Sequence, residues 1–271
     1  MTKFESAFSK TFLIFMVAFT ILPIFAILNI SLQPADALST GLSFSWDLNF
    51  QNYVDAWSMG NFGRLFINSL GISLTIIPLA VFFAILGGFG FYFFNFRNKK
   101  YLFNFFLLGM TLPYEAIVIP LYYGLNSVGL LNTSWAVIFP LLGGFMPFGI
   151  FWLRSYFSSL PNELAEAASI DGATSLQILM KIILPISKSA IVSLAIFYYI
   201  WSWNHFILSM ILIQDATRRT VTTGLTAFVN QYSQNLPLLC AGTMTVIAPT
   251  ILFFIVFQKH IVKGILDGAV K

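Results

Sequence analysis

Charge is what this sequence lacks most. Of its 271 residues only 9% are Asp, Glu, Lys or Arg, against about 25% in a soluble globular domain. So few polar groups cannot clothe a water-facing surface, which excludes a soluble fold. Cysteine is almost absent. The single Cys240 stands in an apolar run, which excludes an intramolecular disulfide and any Cys-based metal spacing. Two histidines, His205 and His260, are far apart and make a weak metal case, so no metal site is assigned. Acidic residues number ten, and Glu115 alone lies within a long apolar run. No glycine-rich phosphate loop ending in Lys-Ser or Lys-Thr occurs, so the chain is expected to hold no nucleotide and no cofactor of its own. No nucleophile, base and orienting group stand at a supporting spacing, so no catalytic residue is assigned either.

What is abundant is hydrophobic sequence, 58% of the chain. Six apolar runs are long enough to supply the roughly 20 residues of a membrane-crossing helix. They are 11–31, a stretch within 65–96, 101–125, 133–153, 189–213 and 238–258. The second has 32 uncharged positions. At about 1.5 Å per residue it exceeds a core of about 30 Å, so it should tilt or emerge. Pro78, Gly87, Gly88, Pro113, Pro120, Pro140, Pro147 and Pro249 interrupt these runs. They suit helices bent around a cavity, or simply reflect how common Gly and Pro are in membrane helices. Lys3 and Lys10 before an apolar run, with "ADA" at 35–37, imitate a signal peptide. The run is too long for a signal core of about 7–15 residues and reads as the first span.

Lys and Arg give the direction. With the N-terminus inside, the inner set is Lys3, Lys10, Arg97, Lys99, Lys100, Arg154, Lys181, Lys188, Lys259, Lys263 and Lys271. The outer set is Arg64, Arg218 and Arg219. The net charge of +4 is therefore a topology signal and not a nucleic-acid footprint. Both termini are expected in the cytoplasm, with outer loops at about 32–64 and 214–237.

Between the fourth and fifth runs lies "ELAEAASIDGATSLQILMKIILP", residues 163–185. Pro161 suits a helix first turn, and Glu163 and Glu166 complement the dipole at a helix N-terminus. Gly172 breaks the helix, and Thr174 with Gln177 has capping-box spacing for a second one. Leu176, Leu179, Met180 and Ile183 fall at i, i+3, i+4 and i+7 and predict one apolar face. Pro185 marks the return to the membrane. On these grounds the segment is either a connector packed on its own spans or a docking element.

The same stretch carries a resemblance. Glu166, Ala167 and Ala168, then three residues, Gly172, nine residues, Ile182, one residue, and Leu184-Pro185 match the loop of membrane subunits of bacterial ABC importers. "GLLNTSWAVI" (129–138), "PFGIFWLRSYF" (147–157), "SWN" (202–204) and "FQKHIVKGILDGAVK" (257–271) look like the maltose-type sugar branch. The resemblance implies an all-α polytopic membrane protein, a single permease domain over 1–271. It would have six transmembrane helices and a cytoplasmic two-helix coupling loop at about 158–186. Its coupling residues would be Glu166, Ala167, Ala168, Asp171, Gly172, Leu176, Ile182, Leu184 and Pro185. Implied partners are a second homologous permease subunit, two copies of a cytoplasmic ATPase that use ATP and magnesium, an extracytoplasmic sugar-binding protein and membrane lipid, with no nucleic acid. The implied location is the bacterial cytoplasmic membrane. Tail contacts with the ATPase would come from Lys263, Gly268 and Lys271; otherwise the tail is a basic anchor at the inner interface. Relatives often carry an acid where this chain has His205, which leaves that position without an inherited role.

A sugar path needs aromatic platforms for C–H faces and amides or hydroxyls for the rest. In "IFYYIWSWNHFILSM" Phe197, Trp201, Asn204 and Leu208 share one helical stripe, and Tyr198, Ser202 and His205 the next. Phe197, Tyr198, Trp201, Asn204 and Glu115 are the candidate pathway residues; lipid contact, subunit packing or a cap near Pro113 are the plainer roles. The reading is a subunit importing a carbohydrate, an oligosaccharide above all, by alternating access. The alternatives are a polyol or glycerol phosphate as solute, or an ion-coupled secondary transporter, for which the spans offer mainly Glu115.

Overall fold

The structure, a computed structural model, describes residues 3–34, 48–229 and 235–269. It is helical, with no strand among the described residues. The helices are α1 (Lys3–Ser31), α2 (Gln51–Met59), α3 (Phe62–Phe93), α4 (Lys99–Gly109), α5 (Tyr114–Ser127), α6 (Trp135–Ser159), α7 (Asn162–Ile170), α8 (Ser175–Ile178), α9 (Leu184–Ile186), α10 (Lys188–Asn204), α11 (Ile207–Leu212) and α12 (Leu236–Ala269). Four carry stretches long and apolar enough to cross a membrane: Phe8–Ser31, Phe62–Phe93, Trp135–Ser159 and Leu236–Lys259. A fifth can be made of the bent pair Ser175–Ile186 and Lys188–Asn204, which meet at 78°. The third expected span is two pieces, α4 and α5, parted at Met110–Pro113. The fifth is parted at His205–Phe206, between α10 and α11.

The expected breakers mostly do not break. α3 continues through Pro78, Gly87 and Gly88, α5 through Pro120, α6 through Pro140 and Pro147, and α12 through Pro249. Only Pro113 ends up at a helix boundary, as the N-cap of α5. The glycines serve contact instead. A Cβ on Gly87 would meet Ile150 Cγ1 at 2.8 Å, and one on Gly88 would meet Leu153 Cβ at 2.9 Å. Without side chains the backbones of α3 and α6 approach closely, which is how helices associate where water gives no hydrophobic drive between them.

The chain divides into two compact units, residues 1–63 with 224–249 and residues 64–223 with 250–271. In the first, residues 11–25 of α1 are all exposed. The end of α1 is held by α2. Buried Asn52 donates from Nδ2 to the carbonyls of Ser31 (2.9 Å) and Gln33 (2.7 Å), and the Ser31 and Tyr53 hydroxyls bond at 2.7 Å. These bonds satisfy carbonyls that a helix C-terminus leaves open. α2 lies in the expected outer loop; its run "QNYVDAW" is too polar to have stood out as a span.

The second unit is built on α6. Leu141, Phe145, Leu153 and Phe157 of α6 pack with Ile72, Ile76, Ala80 and Ala84 of α3, at four-residue spacing, and with Leu194 and Tyr198 of α10. At the Gly149 position a Cβ would collide with Tyr198 Oη and with Ala84 Cβ. Tyr198 Oη uses that space to donate to the Phe145 carbonyl at 2.9 Å, and the two rings stack at 4.9 Å. At the other end of α6 the Arg154 guanidinium lies 4.0 Å over the Phe103 ring of α4. Burial, and secondarily the charge of Arg154, hold the Lys99 ammonium below its ordinary range.

Candidate functional site

Two sites emerge, a cavity among broken helices and the 162–186 segment. The cavity, about 620 Å³, lies where helix ends converge. α4 closes near Met110, α5 opens with Glu115 in its first turn, α10 ends at Asn204, and α11 begins at Ile207. His205 and Phe206 between them are unwound, and Gly144, Phe145 and Phe148 of α6 form the facing wall. Irregular backbone at membrane depth is tolerated where it lines such a space. Glu115 is exposed here, and a carboxylate in the first turn of α5 also complements that helix's dipole.

The break at 205–206 is held by residues 220–223. The His205 carbonyl accepts from Thr222 Oγ1 at 3.1 Å and Thr220 Oγ1 at 3.4 Å. The backbone N–H of Thr220 donates to Ser209 Oγ at 2.9 Å, and that of Val221 to Ser69 Oγ at 2.8 Å. Arg219 closes the far end of α11, donating from Nε to the Ile213 carbonyl at 2.8 Å and from Nη2 to that of Gln214 at 3.2 Å. Asp215 accepts from the Thr217 hydroxyl and backbone N–H. These bonds, the hydroxyl first, hold its carboxyl below the usual carboxylate range.

Of the candidate pathway residues, Trp201, Asn204 and Glu115 come together on the cavity wall, and His205 joins them. Phe197 stands one layer back, stacked on Trp201 at 6.0 Å and edge-on to Phe148 at 5.9 Å. Tyr198 is a correction: it is fully buried in the α6–α10 core, behind the Phe145 ring, and does not line the cavity. Leu208, beyond the break at 205–206, is likewise core. Ser202 is buried on Ser73 at 3.0 Å. Sequence reading missed Met110, Phe145, Phe148 and Phe206. Phe148 meets Trp201 edge-on at 4.8 Å, and the glycines of "GGFMPFG" beside it were the available signal. The Asn204 amide donates back to the Ile200 carbonyl at 2.8 Å, which fixes it at the end of α10.

The 162–186 segment forms as expected at its turn. Gly172 has φ +80, its N–H bonds to Ser169 O (3.1 Å), and that of Ala173 to Ala168 O (2.9 Å). This is the Schellman pattern, which a left-handed glycine completes. The Thr174–Gln177 capping box is present in both directions. Pro161 is the N-cap and not a first-turn residue. The single apolar face is overturned. Leu179 and Ile183 are buried with Ile178, but Leu176 and Met180 are exposed. Residues 179–183 form a π-turn, where the Leu184 N–H reaches Leu179 O. Pro185 has no N–H for the carbonyl four residues back, and a widened turn eases its ring past the helix. The wider turn sends the two sets of side chains to opposite sides. The 78° bend into α10 comes at buried Ser187, two residues after Pro185. Glu166, Ala167, Asp171 and Gly172 are exposed, Ala168, Ile182 and Leu184 half-buried, and Pro185 exposed. Ile170 is 87% exposed at the tip. Lys263 and Gly268 lie in the last turns of α12, and Lys271 lies outside the described residues.

Residues 76–267 match the family model for the inner membrane component of binding-protein-dependent transport systems. The chain belongs to that family. It is therefore an integral membrane protein and a transport subunit, not an enzyme. Among its relatives, the probable ABC transporter permease protein YurM of Bacillus subtilis is 35% identical over 86% of this chain and 77% of its own. The arabinooligosaccharides transport system permease protein AraQ of Halalkalibacterium halodurans is 29% identical over 95% of this chain and 93% of its own. In fold, a chain of a solved bacterial ABC transporter, involved in the import of the acidic polysaccharide alginate, superposes with a TM-score of 0.78. It is 22% identical and covers 96% of this chain and 98% of its own. The likeness extends over nearly all of this chain and shows a shared fold.

Proposed function

We propose that this permease is one of two homologous membrane subunits of an ATP-driven carbohydrate importer. The observation that carries the reading is the cavity. Trp201 and Phe148 offer aromatic faces for the C–H side of a sugar ring, and Asn204 and Glu115 offer polar atoms for its hydroxyls. A relative that serves arabinooligosaccharides supports the same solute class. The solute passes by alternating access, with the unwound 205–206 segment and the 110–113 break as points where the wall gives.

Six crossings follow if α4 with α5 and α10 with α11 are taken as broken spans beside α1, α3, α6 and α12. Both termini and residues 158–186 then face the cytoplasm, in keeping with the Lys and Arg distribution. The exposed Glu166, Ala167, Asp171, Ile170 and Leu176 dock on one of two ATPase subunits, which bind the ATP and magnesium. Ile182, Leu184 and Pro185 carry that contact into α10. The end of α12, with Lys263, Gly268 and Lys271, approaches the same partner. The second permease subunit is a different homologous chain, and a sugar-binding protein delivers solute from outside the bacterial cytoplasmic membrane.

The test is reconstitution of the whole importer in proteoliposomes with its binding protein and labelled oligosaccharides. ATP-dependent uptake of a saccharide is the expected result. An importer whose ATPase is stimulated only by a non-sugar solute, such as a polyol or glycerol phosphate, overturns the solute class.

A further inference from the structure

The cavity wall has an uneven chemistry. Its side chains include one carboxylate, Glu115, one imidazole, His205, and one amide, Asn204. Among the described residues no Lys or Arg lines it, and the remainder is aromatic or aliphatic apart from Gly144. Apolar walls screen charge poorly, so a single carboxylate dominates the local potential. Two carboxylates about 5 Å apart, at an effective dielectric near 20, disfavour joint occupancy roughly 300-fold. Asn204 is committed through its N–H to Ile200 and offers no cation to compensate. At pH 8 a histidine of ordinary basicity carries no compensating charge either.

We propose that Glu115 is a charge filter, so that this permease carries uncharged saccharides and rejects those bearing a uronic acid. The proposal rests on the carbohydrate reading above and narrows it. A neutral sugar gains an acceptor for its hydroxyls at Glu115 and an apolar platform at Trp201 and Phe148. A uronate brings a second negative charge to a wall with no cation to receive it.

The experiment is saturation-transfer NMR at pH 8 on the purified, nucleotide-free complete importer without its binding protein, so that loading of that protein plays no part. The probes are neutral trisaccharides and the same trisaccharides with a terminal uronic acid. The wild-type complex is expected to give a signal for at least one neutral member that is lost in Trp201→Ala, and a signal at least 10-fold weaker for its uronate counterpart. Glu115→Gln should narrow that ratio to about threefold, and Glu115→Lys should invert it; co-purification of all subunits verifies that both variants assemble. Equal wild-type signals for the pair, or a ratio unmoved by both substitutions, overturn the filter and leave the carbohydrate reading standing. Absence of any Trp201-dependent signal from any neutral sugar overturns the carbohydrate reading and the filter with it.

Discussion

At single positions, size and polarity act separately. Gly149 is a packing residue: its missing side chain leaves room for the Tyr198 hydroxyl and its bond to Phe145. Gly149→Ala forces α3, α6 and α10 apart by overfilling the contact, at about 1–3 kcal/mol. The purified complex is expected to show a lower thermal midpoint, and an unchanged midpoint refutes the close packing. Trp201 and Asn204 are different, since both are exposed on the cavity wall. Replacing either by Ala should lower sugar uptake at least several-fold while the ATPase subunits still co-purify. Loss of assembly would return both residues to a packing role, and full uptake would clear them of contact with solute.

On the scale of elements, the 162–186 segment owes its shape to two local devices with different ranges. The Gly172 turn uses only neighbouring backbone, whereas the π-turn answers to Pro185 and to the core beneath Ile178 and Ile183. Gly172→Pro fixes φ near −65°, opposite in sign to the +80 required, and removes the N–H that bonds to Ser169. A loss of about 3 kcal/mol there is too small to dissolve the helices of the membrane domain and large enough to misplace a docking surface. The variant should insert normally yet lose uptake and the ATP hydrolysis stimulated by loaded binding protein. Glu166→Ala should do the same more mildly, because the exposed carboxylate has contacts to lose but no turn to break. Normal stimulation and uptake in the Gly172→Pro importer would make the segment a mere connector.

For the whole molecule, the issue is sidedness. The eleven-to-three division of Lys and Arg predicts that α2 lies outside and the start of α4 inside. With Cys240→Ser as background, Ser58→Cys should react with a membrane-impermeant thiol reagent in intact cells, and Lys100→Cys only after the cells are opened. Both native positions are exposed. Reaction at 100 in intact cells, with protection at 58, would invert the topology. The bare surface of α1 belongs to this scale too. A helix exposed over residues 11–25 contributes little to its own chain's core and is suited to lipid or to the partner subunit proposed above.

The sequence by itself determined the all-helical membrane class, the Gly172 turn and the Thr174 cap. Each depends on hydropathy or on bonds among residues a few positions apart, which a linear reading can see. It also brought Trp201, Asn204 and Glu115 forward, through their residue types. Only the tertiary structure decided which of the stripe residues line the cavity. Tyr198 lies next to Phe197 in sequence, but the space opposite Gly149 admits its ring into the core. The third and fifth runs read as unbroken because their apolarity is unbroken. A helix yields at 205–206 when other groups can take up its backbone bonds, and here those are Thr220 and Thr222, about one loop away. The same holds for the glycines of α3, whose role depended on where Ile150 and Leu153 stood. Hydropathy fixes which segments leave water, but packing and hydrogen-bond satisfaction between distant segments fix where a helix breaks and what it shows to the solute.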